Sequence, residues 1–158
     1  MFARIVKLCS AAALALGLAW SASAAADGDG IVRVRSAYPL DETVVRLKQD
    51  IAGKGIRFFQ EIDQHRLAAD AGIKTLPSTL LVFGNPPLGT QFLNAKPEAG
   101  IDWPVRLLVQ QDAKGDVWAI YTDFLWIAER HGVKAADRKP FETASGVIAS
   151  ITSSVKAK

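Results

Sequence analysis

Residues 105–122 read VRLLVQQDAKGDVWAIYT, and the reading of this stretch decides the fold. Val105 to Gln111 and Val117 to Thr122 are two runs rich in β-branched, aromatic and other apolar residues. The connector between them runs from Asp112 to Asp116 and contains Gly115. Two such runs joined by a short Gly-containing connector make a β-hairpin, so these strands are antiparallel neighbours. A sheet that contains a hairpin cannot be wholly parallel, and its helices belong to an α+β arrangement.

Upstream of the hairpin, Leu80-Leu81-Val82-Phe83 is apolar without alternation, which predicts a central strand covered on both faces. Gly84-Asn85-Pro86-Pro87 breaks it, and Thr90 to Ala95 follow as a short helix. Further back, Ile56 to Ile62 reads as a strand with Ile56, Phe58 and Ile62 on one face. Gln64 to Ala71 is an Ala-rich short helix closed by Gly72. Ile31 to Arg35 alternates as a first strand that ends before Pro39. Asp41 can cap the next helix, in which Val44, Leu47 and Ile51 recur at helical spacing and which Gly53 and Gly55 stop.

Downstream, Asp123 can cap a helix through His131, ended by Gly132. Phe141, Ala144, Val147, Ile148, Ile151 and Val155 mark an amphipathic helix over about 140–155. The order is strand, helix, four strands, helix, with short helical insertions. It predicts a two-layer α+β fold, with a mostly antiparallel curved sheet and the long helices on one face. The other sheet face is then partly open, or serves as a surface for a homodimer.

The stretch from Leu80 to Pro86, continuing into Gly89-Thr90, resembles the signature of the domain of unknown function 302 family. Asp102-Trp103-Pro104, Trp118, Tyr121, Asp123 and Ala128-Glu129-Arg130-His131 extend the resemblance, and Tyr38-Pro39 with Glu42, Thr43 and Leu47 resembles the family's opening. The resemblance covers roughly residues 31–135. It implies a two-layer α+β fold like the TATA-binding-protein class and supplies no catalytic residue or cofactor. Two positions depart from the pattern. Gln64 separates Asp63 from His65 where the family has Asp-His, and Leu76-Pro77-Ser78 stands where it has Arg-Pro-Thr.

The first 24 residues predict a cleavable signal peptide. Arg4 and Lys7 form a positive n-region, Leu8 to Trp20 an uncharged apolar run, and Ser21-Ala22-Ser23-Ala24 a small-x-small cleavage site. The run is short for a membrane span, which takes about 20 apolar residues. The expected mature chain is periplasmic or secreted and spans no membrane. It has a loose N-terminus at 25–30 and a single domain at 31–158. Removing residues 1–24 removes Cys9, the one cysteine, and two of 19 basic residues, leaving 17 against 16 acidic. That excludes thiol chemistry and disulfides in the domain, and a near-neutral surface is a poor match for nucleic acid.

Candidate site residues are Asp63, His65, Ser78, Asn85, Gly89, Thr90, Asp123 and His131. The segment from Gly84 to Thr90 is a strand-to-helix junction that can hold an anion, or a tight turn capped by Asn85. His65 and His131 with Asp63 or Asp123 could make a two-histidine, one-carboxylate metal site. As isolated residues they are a helix C-terminal histidine and a surface one. Trp103, Trp118, Trp126, Phe59 and Tyr121 line a pocket or fill the core, with Trp118 and Tyr121 on opposite faces of their strand. The expected function is non-enzymatic binding of a small molecule or a protein partner, without a cofactor. The loop at Asn85 to Thr90 would meet Asp63, His65, Ser78 and Asp123 at the site. The alternatives are a hydrolytic or metal-dependent enzyme using the histidines and aspartates, and a structural envelope protein.

Overall fold

The structure, a computed structural model, describes residues 28–158. The expected signal peptide at 1–24 and the first part of the expected loose segment lie outside the described residues. The elements in chain order are β1 (Ile31–Arg35), α1 (Leu40–Gly53), β2 (Arg57–Asp63), α2 (Gln64–Asp70), β3 (Ser78–Gly84) and α3 (Pro86–Ala95). A 3-10 turn (Pro97–Asp102), β4 (Val105–Gln111), β5 (Val117–Thr122), α4 (Phe124–Arg130), a 3-10 turn (Ala135–Asp137) and α5 (Lys139–Ser153) complete the chain. The strands form one sheet in the order β1-β5-β4-β3-β2, with every neighbouring pair antiparallel.

The hairpin at 105–122 is as its sequence predicts, and Asp112 explains why it closes there. One carboxylate oxygen accepts the backbone N–H groups of Lys114 and Asp116, and the other accepts Trp118 Nε1–H at 3.0 Å. These bonds, the one from Trp118 foremost, hold the Asp112 carboxyl below its ordinary range.

One face of the sheet carries Val32, Val34, Leu81, Phe83, Leu107, Val109, Ala119 and Tyr121, all buried. Helices α1 and α5 pack on this side, α1 through Thr43, Val44, Leu47 and Ile51, and α5 through Phe141, Ala144, Ile148 and Ile151. Phe92 of α3 stacks on Phe141 of α5 with centroids 4.2 Å apart. Such a pair adds roughly 0.5–1.5 kcal/mol beyond the apolar area it buries.

The opposite face has no long helix over it. Ile62, Leu80, Leu108 and Ile120 pair in register straight across four strands and are only half-buried. The apolar run Leu80–Phe83 is therefore not covered on both faces. Its burial alternates, because Leu80 and Val82 face the open side.

Three further expectations are corrected. Phe58 pairs with Phe83 and Gln60 with Val82, so Phe59 is an extra residue, a β-bulge. The bulge flips the alternation, so Phe58 joins the helix face while Ile62 goes to the open face. Asp41 does not cap α1. Pro39 occupies that position without a side-chain bond, and Asp41 and Glu42 lie in the first turn, where negative charge complements the helix dipole. Of the expected loose segment, 28–30 form a turn in which Asp29 accepts the Ile31 N–H and Gly30 is buried against Trp126.

Candidate functional site

The antiparallel register sorts the eight candidate residues into two groups. Asp63 pairs with Thr79 at the start of β3, beside Ser78. Asp63 caps α2 by accepting the Arg66 N–H, and Ser78 Oγ–H donates to Gln64. His65 is exposed and its Nδ1 lies 3.2 Å from Thr75 Oγ1. Asn85, Gly89 and Thr90 follow the far end of β3, and Asp123 follows β5 at that same end of the sheet. A seven-residue strand is about 20 Å long. The expected meeting of Asn85 to Thr90 with Asp63, His65 and Ser78 therefore does not occur.

His65 and His131 are separated in the same way, and the described residues contain no cluster of three potential metal ligands. His131 has a carboxylate partner, but it is Asp102 rather than Asp123. His131 Nε2 lies 2.7 Å from Asp102 Oδ2, which also accepts from Arg130 at 2.5 Å, while Arg106 stands 3.5 Å from Oδ1. The Asp102 side chain is only 8 % exposed, so three cationic or protonatable groups answer one buried carboxylate. The cluster ties the C-terminus of α4 to the turn that precedes β4. Asp123 is spent on structure too. It caps α4 by accepting the Trp126 N–H and binds Ser145 of α5 at 3.0 Å. Thr90 Oγ1 donates back to the Pro86 carbonyl.

Asn85 and Gly89 remain; Asn85 borders a groove and Gly89 a slot beside it. Asn85 caps α3, which starts directly at Pro86 and Pro87 rather than at Thr90. Proline is tolerated there because the first helical N–H groups have no intrahelical partner. The groove, about 420 Å³, is lined by Lys54, Ile56, Asn85, Leu88, Thr143, Gly146, Val147 and Ser150. Ile56, Asn85, Leu88 and Val147 also border a narrow slot of about 30 Å³ that runs inward to Phe83, Phe92, Trp103 and Phe124. Groove and slot thus adjoin one another across these four residues, with apolar walls inside and a polar rim outside.

Local sequence builds each wall. Gly55, at φ +66°, lets the chain turn left-handed after α1. Ile56 N–H then bonds the Ile51 carbonyl and Gly55 N–H that of Ala52, the two bonds of a Schellman turn. The turn sets Lys54 on the rim and Ile56 on the floor. Trp103 lies edge-on to Phe59, with centroids 6.2 Å apart, and rests on Gly89. A Cβ at Gly89 would come within 1.9 Å of Trp103 Nε1. On α5 the situation is reversed, since a Cβ at Gly146 would meet nothing within 4 Å. The groove's last wall is open because a helical position carries no side chain.

Lys54, Ile56, Leu88, Gly146, Val147 and Asp102 were not among the expected site residues. A glycine inside the helical pattern of 139–153, where it costs stability, was the one available signal for the groove. Of the five aromatics read as lining a pocket or filling the core, Trp103 alone borders the slot. Tyr121 is buried on the helix face and Trp118 lies on the open one, opposite to each other as expected.

Residues 32–151 match the family model described as domain of unknown function DUF302. Over 104 residues, 66 % of this chain, the sequence is 35 % identical to the fluoride-specific ion channel FluC 1 of Brucella suis and covers 41 % of that protein. The same 66 % is 35 % identical to FluC 1 of Brucella abortus and covers 38 % of it. The chain spans about two fifths of the length of these curated relatives. The crystal structure of an uncharacterized conserved DUF302 protein from Bacillus stearothermophilus superposes with a TM-score of 0.73, covering 80 % of this chain and 98 % of that one. At 16 % identity this likeness is one of fold alone.

Proposed function

Because the chain belongs to the family described as domain of unknown function DUF302, for which fold is no guide to activity, we propose from the site's geometry that it is a non-catalytic small-molecule-binding domain. The observation that carries this reading is the groove between α1, α3 and α5 and the Trp103 slot that adjoins it through Ile56, Asn85, Leu88 and Val147. Its size falls in the ordinary range for ligand sites, roughly 300–1,000 Å³, and its mix of apolar walls and a few polar groups is what such sites share. The Brucella relatives support a binding role. In them a stretch like this one is part of a protein named as an ion channel, a setting suited to a module that binds rather than reacts.

The domain works outside the cytoplasm in this proposal, on the strength of the signal-like order of residues 4–24. A thermal-shift screen of small molecules against the wild type and Gly146→Phe tests the reading. Binding to the folded state raises its apparent stability. Ligands of the groove stabilise the wild type and leave Gly146→Phe unmoved. Hits that stabilise both equally would overturn the assignment.

The half-buried row Ile62, Leu80, Leu108 and Ile120 favours a second reading for the other face, namely association with a second copy of the chain. The row crosses the middle strand, β4, and a patch centred in this way can meet itself across a twofold axis. Sedimentation at increasing concentration gives a dimer for the wild type and a monomer for Leu108→Lys. A wild type that stays monomeric sinks this second reading.

A further inference from the structure

We propose that the ligand of the groove is a linear aliphatic carboxylate, bound with its head group on Lys54 and its chain end in the Trp103 slot. This rests on the groove being the binding site, as argued above. Three features select the class.

The first is charge. Among the groove's lining residues Lys54 is the one that carries a charge. Its present partner is Asp50, at 2.5 Å and one helical turn away, a surface pair of the kind a bound anion displaces at small cost. Asn85 uses its side-chain oxygen to cap α3, so its amide N–H₂ is left as a donor on the same rim. Ser150 adds a hydroxyl. A cation and two neutral polar groups on the lining suit a carboxylate, while the one nearby carboxylate, Asp50, lies outside the lining and is paired with Lys54.

The second is the wall chemistry. From the rim inward the lining is Ile56, Leu88 and Val147, then Phe83, Phe92, Trp103 and Phe124. No charged residue borders the slot. Such walls accept methylene groups and leave a second charge unsolvated.

The third is volume. The groove holds about 420 Å³ and the slot about 30 Å³. An unbranched chain that narrows to a methyl end suits a roomy groove beside so small a slot. The glycines agree with this path. Gly146 leaves room at the mouth, and Gly89 lets the indole of Trp103 lie down as the slot's wall.

The test uses isothermal titration of the full domain with octanoate, 1-octanol and octylamine, all below micelle-forming concentrations, against the wild type, Lys54→Met and Gly146→Phe. The expected order in the wild type is octanoate tightest, octanol about tenfold weaker and octylamine weaker still, as loss of one charge-assisted contact implies. Lys54→Met brings octanoate down to octanol and leaves octanol unchanged, while Gly146→Phe abolishes both. Lys54 is exposed on a helix cap and Gly146 on a helix face, so both variants fold. Equal binding of octanoate and octanol, still blocked by Gly146→Phe, overturns the carboxylate head and leaves the groove as the site. Binding unaffected by Gly146→Phe, or no binding of any chain, overturns both the ligand class and its place.

Discussion

Replacing Gly89 and Gly146 by alanine, one at a time, makes the same chemical change in two helices and moves stability in opposite directions. In a helix interior alanine is favoured over glycine by about 1 kcal/mol, because it restricts the unfolded chain. At Gly146 nothing lies within 4 Å of the new Cβ, so that gain is kept. At Gly89 the Cβ would sit 1.9 Å from Trp103 Nε1 and 2.2 Å from Cε2, where an ordinary contact begins at 3.4 Å. The indole must withdraw by the difference, about 1.5 Å, against Phe59. Forced shifts of this kind cost about 1–3 kcal/mol and can exceed that. Gly89→Ala is therefore destabilised by up to about 2 kcal/mol net, and the two variants differ by about 1–3 kcal/mol. Urea unfolding measures this directly, as shifts in midpoint of opposite sign at unchanged slope. In a thermal scan each kcal/mol moves the midpoint of a domain this size by about 4 °C. A Gly89→Ala protein as stable as Gly146→Ala would refute the seating of Trp103 on α3, and with it the slot.

Three further outcomes follow from the same structure. Asp102→Asn weakens the bonds from His131 and Arg130 and costs on the order of 2 kcal/mol in denaturant, with a Trp126 emission change because Arg130 lies over that ring; an unaltered midpoint would show the cluster to be ornamental. The Asp112 carboxyl is held below its ordinary value of 3.8, mainly by Trp118, so its contribution is complete above that value and is lost as pH falls through the lowered one. The stability advantage of wild type over Asp112→Asn is accordingly level at neutral pH and fades in acid, and an advantage that persists in strong acid contradicts it. Export with cleavage after Ala24 yields a mature chain beginning at Ala25; intact mass of protein taken from the cell exterior or envelope checks this, and a retained residue 1–24 segment rules it out.

How much of this was legible beforehand differs by element. The hairpin was, because period-two runs flank a Gly-containing connector and Asp112 needs only local partners. The Asn85 and Asp123 caps were legible for the same reason, since each acts within three residues, whereas Asp63 was read as a site residue and its cap on α2 was missed. The bulge at Phe59 was not. A single extra residue leaves the alternation of Arg57 to Ile62 looking intact while reversing half of it. Leu80 to Phe83 misled because an apolar run does not say whether its outer residues face helices or an uncovered side.

The candidate site failed where reach exceeded the local. Asp102 and His131 stand 29 positions apart, and neither marks the other. The groove draws on the end of α1, the start of α3 and one face of α5, so no segment contains a motif for it. Only the antiparallel register decided that Asn85 and Gly89 stay in the site while Asp63, His65 and Ser78 lie at the far end of β3.

Amide chemical-shift mapping during an octanoate titration tests the central claim most directly. Saturable shifts are predicted for Lys54, Ile56, Leu88, Gly146 and Val147, with the Trp103 indole resonance moving in step and all of them silent in Gly146→Phe. Shifts confined to Leu80, Leu108 and Ile120 on the open sheet face, or persisting in Gly146→Phe, would contradict it.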